Sequence, residues 1–305
     1  MHLRFRILTV CLTIVVSLSF ELSQVFGQSG DAGDAGAFLK FGFGVRGAAF
    51  GESFAAIASD PSAVYYNPAG VGFAKKVQAE VSLNRPYTNL NAISYYSFAA
   101  LLPFPGFKLG LGAAMLSVGD IEEAFDRTGP TGATFEDTEL AFFFSYGIAF
   151  SDRLAFGANF KIISQEIHSY SAAGYGFDLS ILYKGSKFSY GFIIRDLVGA
   201  KLQLNQRSDQ MPLKLTFALG YRPFKRFTTA LGIQGAGDRA ATLQPAIDFE
   251  LVPDILSLRE SYSTKSKAFK LGFSLRITTF NIDYFYSLNN ELGDSNAIGL
   301  RWTMK

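Results

Sequence analysis

The stretch that decides the fold runs from Arg46 to Phe73 and reads RGAAFGESFAAIASDPSAVYYNPAGVGF. Alanine, glycine and serine dominate its first half, so its backbone can pack closely against other surfaces. Asp60-Pro61 predicts a helix start, with an N-cap residue followed by proline at the first helical position, and Ser62–Tyr66 would form one or two turns. Pro68 then ends the helix. The stretch predicts a compact, partly helical plug that differs from everything after it.

From Val77 onward, apolar residues recur at every second position, which is the periodicity of β-strands. One segment shows the pattern well, with one face made of Leu140, Phe142, Phe144, Tyr146, Ile148 and Phe150, and the other of Ala141, Phe143, Ser145, Gly147 and Ala149. A soluble sandwich would also alternate, but its polar row would face water and be rich in lysine, glutamate and threonine. Here that row is rich in glycine, alanine and serine. The pattern favours a membrane barrel with an apolar row facing lipid and a small-residue row facing a crowded lumen.

Fourteen such segments can be counted, and most have the ten to twelve residues that cross a bilayer as tilted strands. They begin near Val77, Ala92, Phe107, Glu139, Leu154, Gly174, Lys187, Leu213, Phe227, Leu243, Ile255, Ala268, Thr279 and Ser295. Short and long connections alternate along the chain, the longest being Gly119–Thr138 and Gly199–Pro212. An even strand count places both ends of the barrel in the periplasm. The predicted fold is all-β: a 14-stranded antiparallel transmembrane β-barrel with an N-terminal, partly helical hatch inside it.

The N-terminus reads as a secretory signal sequence. Arg4 and Arg6 precede the apolar run Ile7–Phe20, which is too short to span a membrane. We therefore expect a signal peptide at 1–27, an N-terminal extension and hatch at 28–76, and the barrel at 77–305. The chain would reside in the outer membrane of a Gram-negative-type bacterium. The net charge of +2 argues against binding of nucleic acid.

No set of residues suggests an active site, so we expect a protein that is not an enzyme and carries no cofactor or metal. Cys11 lies in the signal sequence. His168 is the single histidine after the signal sequence, and we expect it in a solvated loop. The segment 119–139 is acidic and includes Asp120, Glu122, Glu123, Asp126, Glu136, Asp137 and Glu139 against Arg127. It is either a charged surface loop, which we favour, or a site for a divalent cation, because hard cations take clustered oxygens.

Charged residues of both signs fall on the predicted lumen row. They are Lys161, Asp178, Lys214, Arg222, Asp248, Glu250, Arg276, Asp283 and Arg301. Two arrangements are open: the charges line a polar path, or they pair with one another and with the hatch and seal the lumen. We favour sealing, because a lumen of this size must be filled.

The stretch quoted first resembles the N-terminal signature of the PorV/PorQ family and, more distantly, of FadL-type outer-membrane channels. The matching residues are Arg46, Gly47, Gly51, Ala55, Ala58, Asp60, Ser62, Ala63, Val64, Tyr66, Asn67, Pro68, Ala69 and Gly70. In those relatives the segment lies inside the barrel near its periplasmic end. The resemblance implies a hatch motif here, made by Arg46, Gly47, Asp60, Ser62, Asn67, Pro68, Ala69 and Gly70. Alternatively, these residues only make a tight turn against the wall.

The resemblance implies two competing functions. As a PorV/PorQ-type barrel, the chain would be a protein-interaction component of type IX secretion, with secretion-system proteins or cargo with C-terminal signal domains as partners. As a FadL-like channel, it would take up long-chain fatty acids or other hydrophobic small molecules. In either case its surroundings would be outer-membrane lipid. The run from Asp60 to Gly70 is closer to PorV/PorQ, so the sequence favours the first function.

Overall fold

The computed structural model describes residues 34–125, 129–204, 208–237, 239–289 and 293–305. The expected signal sequence at 1–27 lies outside them. In the described chain, fourteen antiparallel strands close into a barrel, and pairing of the first strand with the last completes the closure. The strands are β1 (Gln78–Arg85), β2 (Ile93–Pro103), β3 (Lys108–Phe125), β4 (Gly129–Ala149), β5 (Leu154–Ile167), β6 (Tyr170–Lys184), β7 (Phe188–Val198), β8 (Lys201–Gln203), β9 (Ser208–Gln210), β10 (Lys214–Phe224), β11 (Phe227–Ala236), β12 (Arg239–Val252), β13 (Leu256–Ser263), β14 (Ala268–Ile277), β15 (Phe280–Leu288) and β16 (Ser295–Thr303). β8 and β9 form a separate hairpin between β7 and β10.

The two faces of the wall differ as the alternation predicts. On β4 the outward side chains are between 42% and 49% exposed: Phe142, Phe144, Tyr146 and Ile148. The inward ones between them are at most 2% exposed: Ala141, Phe143 and Ser145. A continuous outward row of exposed aromatic and aliphatic side chains is the surface that a membrane barrel presents to lipid. The predicted 14-stranded transmembrane barrel with an internal hatch is confirmed.

The predicted strand starts are within one residue of the observed ones except at three strands. β4 begins at Gly129 rather than near Glu139, β6 at Tyr170 rather than Gly174, and β12 at Arg239 rather than Leu243. The loop predicted at Gly119–Thr138 is therefore wrong, because β3 and β4 continue pairing through most of it, with two register shifts. The added residues of these strands are held by backbone hydrogen bonds between neighbouring strands. They lack the apolar row by which membrane strands are recognised in a sequence, so the pattern did not predict them.

The barrel wall has a tall side and a short side. The tall side consists of β3 to β6, with 18, 21, 14 and 15 residues, and the short side of β13 to β16 and β1, with 8 to 10 residues each. Short turns, the start of β1 and the end of β16 share one end of the barrel, here called the turn end, and the longer connections share the loop end. In outer-membrane barrels the short turns face the periplasm.

The hatch, residues 35–73, fills the lumen as five short helical segments. They are the 3-10 helices η1 (Ala37–Phe41), η2 (Gly51–Ala56) and η3 (Pro68–Phe73) and the α-helices α1 (Val45–Phe50) and α2 (Ala63–Tyr66). α2 lies within the predicted turns Ser62–Tyr66, but its N-cap residue is Ser62 rather than Asp60. The helix ends at Asn67, before Pro68, as predicted, and Pro68 then begins η3. Asn67 breaks the helix by adopting an extended backbone, and its side chain accepts the Ala69 N–H as an N-cap. Among the described residues, no helix is long and apolar enough to cross a membrane.

Candidate functional site

The hatch contacts one part of the wall through bare backbone. We call this contact the glycine seam: inward-facing glycines on β4, β5, β7 and β11 that touch hatch backbone. They are Gly147 against Gly72, Gly157 against Ala69, Gly191 against Ala55, and Gly232 against Ser53. A Cβ atom added at any of the four would come nearer than 3.0 Å to a hatch backbone atom. The small-residue lumen row therefore exists because the hatch backbone occupies the space of side chains.

Asn67 joins the hatch to β6, on the tall side of the barrel wall. Its amide Nδ2 donates to the carbonyl oxygen of Ala55 at 2.7 Å and to that of Ile181, on β6, at 3.3 Å. The N–H of Ala69 lies 3.1 Å from Asn67 Oδ1 and 2.9 Å from Ser180 Oγ, also on β6. A single fully buried amide thus joins two hatch segments to the barrel, where an unpaired carbonyl would be costly.

On the opposite part of the wall the hatch is held by charges. Three arginines and three aspartates alternate in a closed cycle, which we call the charge ring. Its contacts are Arg46–Asp60 at 2.8 Å, Asp60–Arg301 at 2.6 Å, Arg301–Asp283 at 3.2 Å, Asp283–Arg259 at 3.4 Å, Arg259–Asp248 at 3.8 Å and Asp248–Arg46 at 3.9 Å. The hatch supplies Arg46 and Asp60, and β12, β13, β15 and β16 supply one residue each.

The charge ring is electrically balanced and largely withdrawn from water. Its side chains are between 1% and 18% exposed, so removing one charge would leave its neighbours uncompensated. Burial alone would raise the pKa of Asp60, but the guanidinium groups of Arg301 and Arg46 hold it below the ordinary value. Asp60 also accepts the Ser62 N–H at 3.1 Å and so shapes the entry to α2. One carboxylate therefore couples hatch shape to barrel attachment.

Three more polar contacts hold α1 on this part of the wall. Glu80 on β1 accepts the Val45 N–H at 3.0 Å and the Ser62 hydroxyl at 3.0 Å. Ser261 on β13 donates to the Ala49 carbonyl, and Lys270 on β14 donates to the Ala48 carbonyl at 2.6 Å. α1 is thus attached by side chains that reach from the wall, in contrast with the direct backbone contact of the seam.

Two cavities lie on either side of this attachment. The outer cavity, towards the loop end, measures about 380 Å³ and combines polar groups with the rings of Phe41, Tyr65, Tyr87 and Phe285. The inner cavity, at the turn end, measures about 320 Å³ and is lined almost entirely by polar and charged side chains, including the ring residues Arg46, Asp60, Asp248, Arg259 and Arg301. α1 lies beside both cavities: its Arg46 lines the inner one, and Lys270, which donates to its Ala48 carbonyl, lines the outer one.

The eight residues of the predicted hatch motif fall into three groups. Arg46, Asp60 and Ser62 lie at the charge ring and beside Glu80. Asn67, Pro68 and Ala69 lie at the glycine seam. Gly47 and Gly70 act inside the hatch, where a Cβ would overlap the ring of Tyr66 and the Cβ of Ala58, respectively. The structure therefore brings the motif together as the fastening points of one plug.

Several buried groups of the site were not identified from the sequence. Arg259 was missed because Glu260, its neighbour on β13, sits on the outward row and obscures the alternation. The polar series Ser257, Arg259, Ser261 and Ser263 was the signal that could have revealed it. Two further ion pairs also involve residues that alternation alone did not select: Arg195 binds Glu52 at 3.1 Å, and Lys161 contacts Asp196 at 2.6 Å as well as the predicted Asp178 at 2.7 Å.

The acidic segment 119–139 forms the upper part of the β3–β4 hairpin. Within the described residues, no group of three histidine, cysteine, aspartate or glutamate side chains is placed to hold a metal ion. Asp126 and Arg127 lie outside the described residues. The His168 side chain is 50% exposed, and its ring packs edge-on against Phe135. Its position in the tight β5–β6 turn fits the expected solvated loop residue.

Comparisons with known proteins connect this barrel to one group of solved structures. The channel titled CymD monoaromatic hydrocarbon channel matches at 11% identity with a TM-score of 0.64, covering 87% of this chain and 98% of its own. A FadL homologue of Pseudomonas aeruginosa matches at 13% identity with a TM-score of 0.60, covering 86% of this chain and 98% of its own. The toluene transporter TodX of Pseudomonas putida matches at 14% identity with a TM-score of 0.58, covering 83% of this chain and 97% of its own. No protein-family model and no curated protein sequence matches the chain.

These matches concern the fold alone, because sequence identity is low. They agree with a FadL-like barrel that spans nearly the full length of each compared channel. The chain shares its barrel fold with these structures, and the FadL-type and PorV/PorQ resemblances both stay predictions.

Proposed function

We propose that this protein is an outer-membrane channel for small hydrophobic compounds, with the hatch as its gate. The observation that carries the proposal is the pair of cavities in one lumen, each lined by α1 itself or by a side chain that holds it. The aromatic rings of the outer cavity offer an apolar surface of ligand-binding size. The barrels of similar fold include channels titled for monoaromatic hydrocarbons and toluene, which supports the same class of compound.

The gate would open on the side of the charge ring. Moving α1 requires the loss of side-chain contacts from Glu80, Ser261, Lys270 and the ring, all of which can re-form with water or with each other. Moving the hatch at the glycine seam would separate close-packed backbones and the Asn67 contacts. The cheaper motion therefore connects the two cavities while the seam stays in place.

A disulfide lock tests this gate. A barrel without the signal sequence contains no native cysteine, so Ala49→Cys with Ser261→Cys introduces a single pair across the α1 attachment. We expect oxidation to abolish uptake of labelled toluene by a deletion strain that carries the variant, and reduction to restore it. The matched control is Ala69→Cys with Ser180→Cys across the seam, for which oxidation should leave uptake unchanged.

Two outcomes would contradict the channel. Unchanged toluene uptake in the deletion strain itself would remove the proposed substrate class. Normal uptake through the oxidised Ala49→Cys and Ser261→Cys pair would show that α1 is not the gate. Heat-modifiable migration on gels must show in both double variants that the barrel is folded.

A second candidate function is the protein-interaction role in type IX secretion that the PorV/PorQ resemblance implies. The tall side favours it, because the β3–β4 hairpin carries an acidic, polar surface beyond the apolar belt where a partner protein could bind. Long-chain fatty acid uptake and the location of proteins with C-terminal signal domains should be measured in the same deletion strain. Cargo trapped in the periplasm with normal uptake of both compounds would favour secretion over transport.

A further inference from the structure

The inner cavity has a chemistry that passage of a hydrophobic compound does not require. It opens at the turn end and is bounded by the β10–β11 and β12–β13 turns and by the ends of β14 and β16. Ile255 is its one large aliphatic lining residue, and arginine is its commonest charged one. A hydrocarbon gains nothing from such a lining, whereas a hydrated anion does.

The positive charge of the cavity is concentrated on one hairpin. In the charge ring, three arginines are matched by three aspartates. Outside the ring the lining adds four cations, Arg222, Lys225, Arg226 and Arg276, but only two carboxylates, Glu250 and Asp254. Asp254 already pairs with Arg276 at 3.4 Å.

Glu250 is also engaged, because its Oε1 accepts the Asp254 N–H at 2.6 Å. Among the described residues, no carboxylate lies within ion-pair distance of Arg222, Lys225 or Arg226. The only side-chain contact of the three is the Arg222 Nε hydrogen bond to Thr228 Oγ1 at 3.3 Å. Among the described lining residues, the three cations of the β10–β11 hairpin therefore face only one carboxylate outside an ion pair, that of Glu250, which leaves an excess of two positive charges.

The floor of the cavity is formed in part by the charge ring. Arg259 and Arg301 line it and are 5% and 9% exposed, and the Nε atom of each has no hydrogen-bond acceptor in the described chain. The nearest carboxylate oxygen to Arg259 Nε, on Asp248, is 3.8 Å away, which is too far for a hydrogen bond. Both Nε atoms are shielded from solvent, and carboxylate oxygens of Asp248 and Asp283 beside them also lack donors, so the floor is charge-balanced and the excess positive charge lies at the mouth.

We propose that the inner cavity is a binding site for a small multivalent oxyanion, one that carries phosphate or carboxylate groups. Its oxygens would accept hydrogen bonds from Arg222, Lys225 and Arg226 at the mouth of the cavity. Such charge-assisted bonds are strong, and arginine matches the planar geometry of these groups. The site does not depend on passage of any compound through the hatch.

Inorganic phosphate titrated calorimetrically into the purified, detergent-solubilised protein tests the site. The variant Arg222→Gln, Lys225→Gln, Arg226→Gln should bind phosphate about tenfold more weakly or worse, since it loses three charged donors. The matched control is Lys108→Gln, Arg153→Gln, Lys187→Gln, which removes three cations from other positions at the same end that do not line the cavity. Its affinity should equal that of the wild type.

A filling variant separates the cavity from its surface charge. Thr228→Tyr keeps every charge but fills part of the cavity with an aromatic side chain. It should also weaken phosphate binding about tenfold. Absence of phosphate binding in the wild type, or equal weakening in both triple variants, would overturn the proposal. The protein could instead bind phosphatidylglycerol vesicles through Arg222, Lys225 and Arg226 while showing no binding of inorganic phosphate. That result would assign these cations to a lipid headgroup.

Discussion

The glycine seam and the charge ring attach the same hatch to the same barrel by opposite physics. At the seam, backbone meets backbone at four glycines, and no side chain intervenes. At the ring, six charged side chains bridge the gap at 2.6 to 3.9 Å beside a polar cavity. The seam depends on shape and cannot adapt, because packed backbones have no alternative arrangement. The ring depends on charge and can exchange partners. The hatch is thus fixed on one part of the wall and releasable on the other.

The largest expected effect comes from adding bulk at the seam. Gly157→Val places side-chain carbons where the Ala69 backbone lies, and neither the β5 wall nor η3 can give way. We expect the free energy of unfolding, measured by urea titration in lipid vesicles, to fall by roughly 3 kcal/mol or more, or the hatch to leave the lumen.

Gly235→Val is the control for this substitution. Gly235 is also a barrel-strand glycine, on β11, but a Cβ there would meet no atom within 4 Å. This variant makes the same change of glycine to valine in a strand, which by itself favours the strand, but without the overlap. Equal losses in the two variants would show that the seam does not depend on close backbone approach.

The second expected effect removes the polar fastening of the seam. Asn67→Ala leaves the buried Ala55 carbonyl without its 2.7 Å donor, and a buried unsatisfied group costs about 2 kcal/mol. The matched comparison is Asn84→Ala, since buried Asn84 donates a single hydrogen bond, to Phe41 at 3.1 Å. Its loss should be about half as large. If urea titration gives the same free energy of unfolding for Asn67→Ala as for the wild type, Asn67 only forms a turn and does not stabilise the attachment of the hatch.

The seam and the ring also differ in how visible they were in the sequence. Alternation of small and large residues from Val77 onward predicted the barrel and the small lumen row that the seam needs, because lipid on one face and hatch on the other impose a strict period of two. Five of the six residues of the charge ring were identified from the sequence, and Arg259 was missed. Asp248, Asp283 and Arg301 were placed in the lumen, and Arg46 and Asp60 in the hatch motif. Their closure into a cycle depends on strand stagger and hatch orientation, which no local pattern encodes.

The third expected effect is on the charge ring and should depend on salt. Asp60→Asn keeps the shape of the side chain but leaves Arg46 and Arg301 short of one negative charge. The adjoining cavity admits water, so we expect a loss of about 1–2 kcal/mol at low ionic strength, shrinking in 1 M salt. The loss in Asn67→Ala should not change with salt. Asp254→Asn, at an exposed ion pair, should have no measurable effect.

The smallest expected effect is the pH dependence of the same attachment. Because the arginines hold the pKa of Asp60 below its ordinary value, the folded barrel keeps this carboxylate ionised at a pH where the unfolded chain has begun to protonate it. The resulting stability is fully present above the unfolded-state pKa, about 3.9, and is lost as the pH falls through the lower folded-state pKa. The stability difference between wild type and Asp60→Asn should therefore be constant from pH 7 to about pH 5 and narrow below about pH 4. The difference between wild type and Asn67→Ala should stay flat over the same range, because no ionisable group is removed at the seam. A difference for Asp60→Asn that is equally flat below pH 4 would mean that its charge does not hold the hatch.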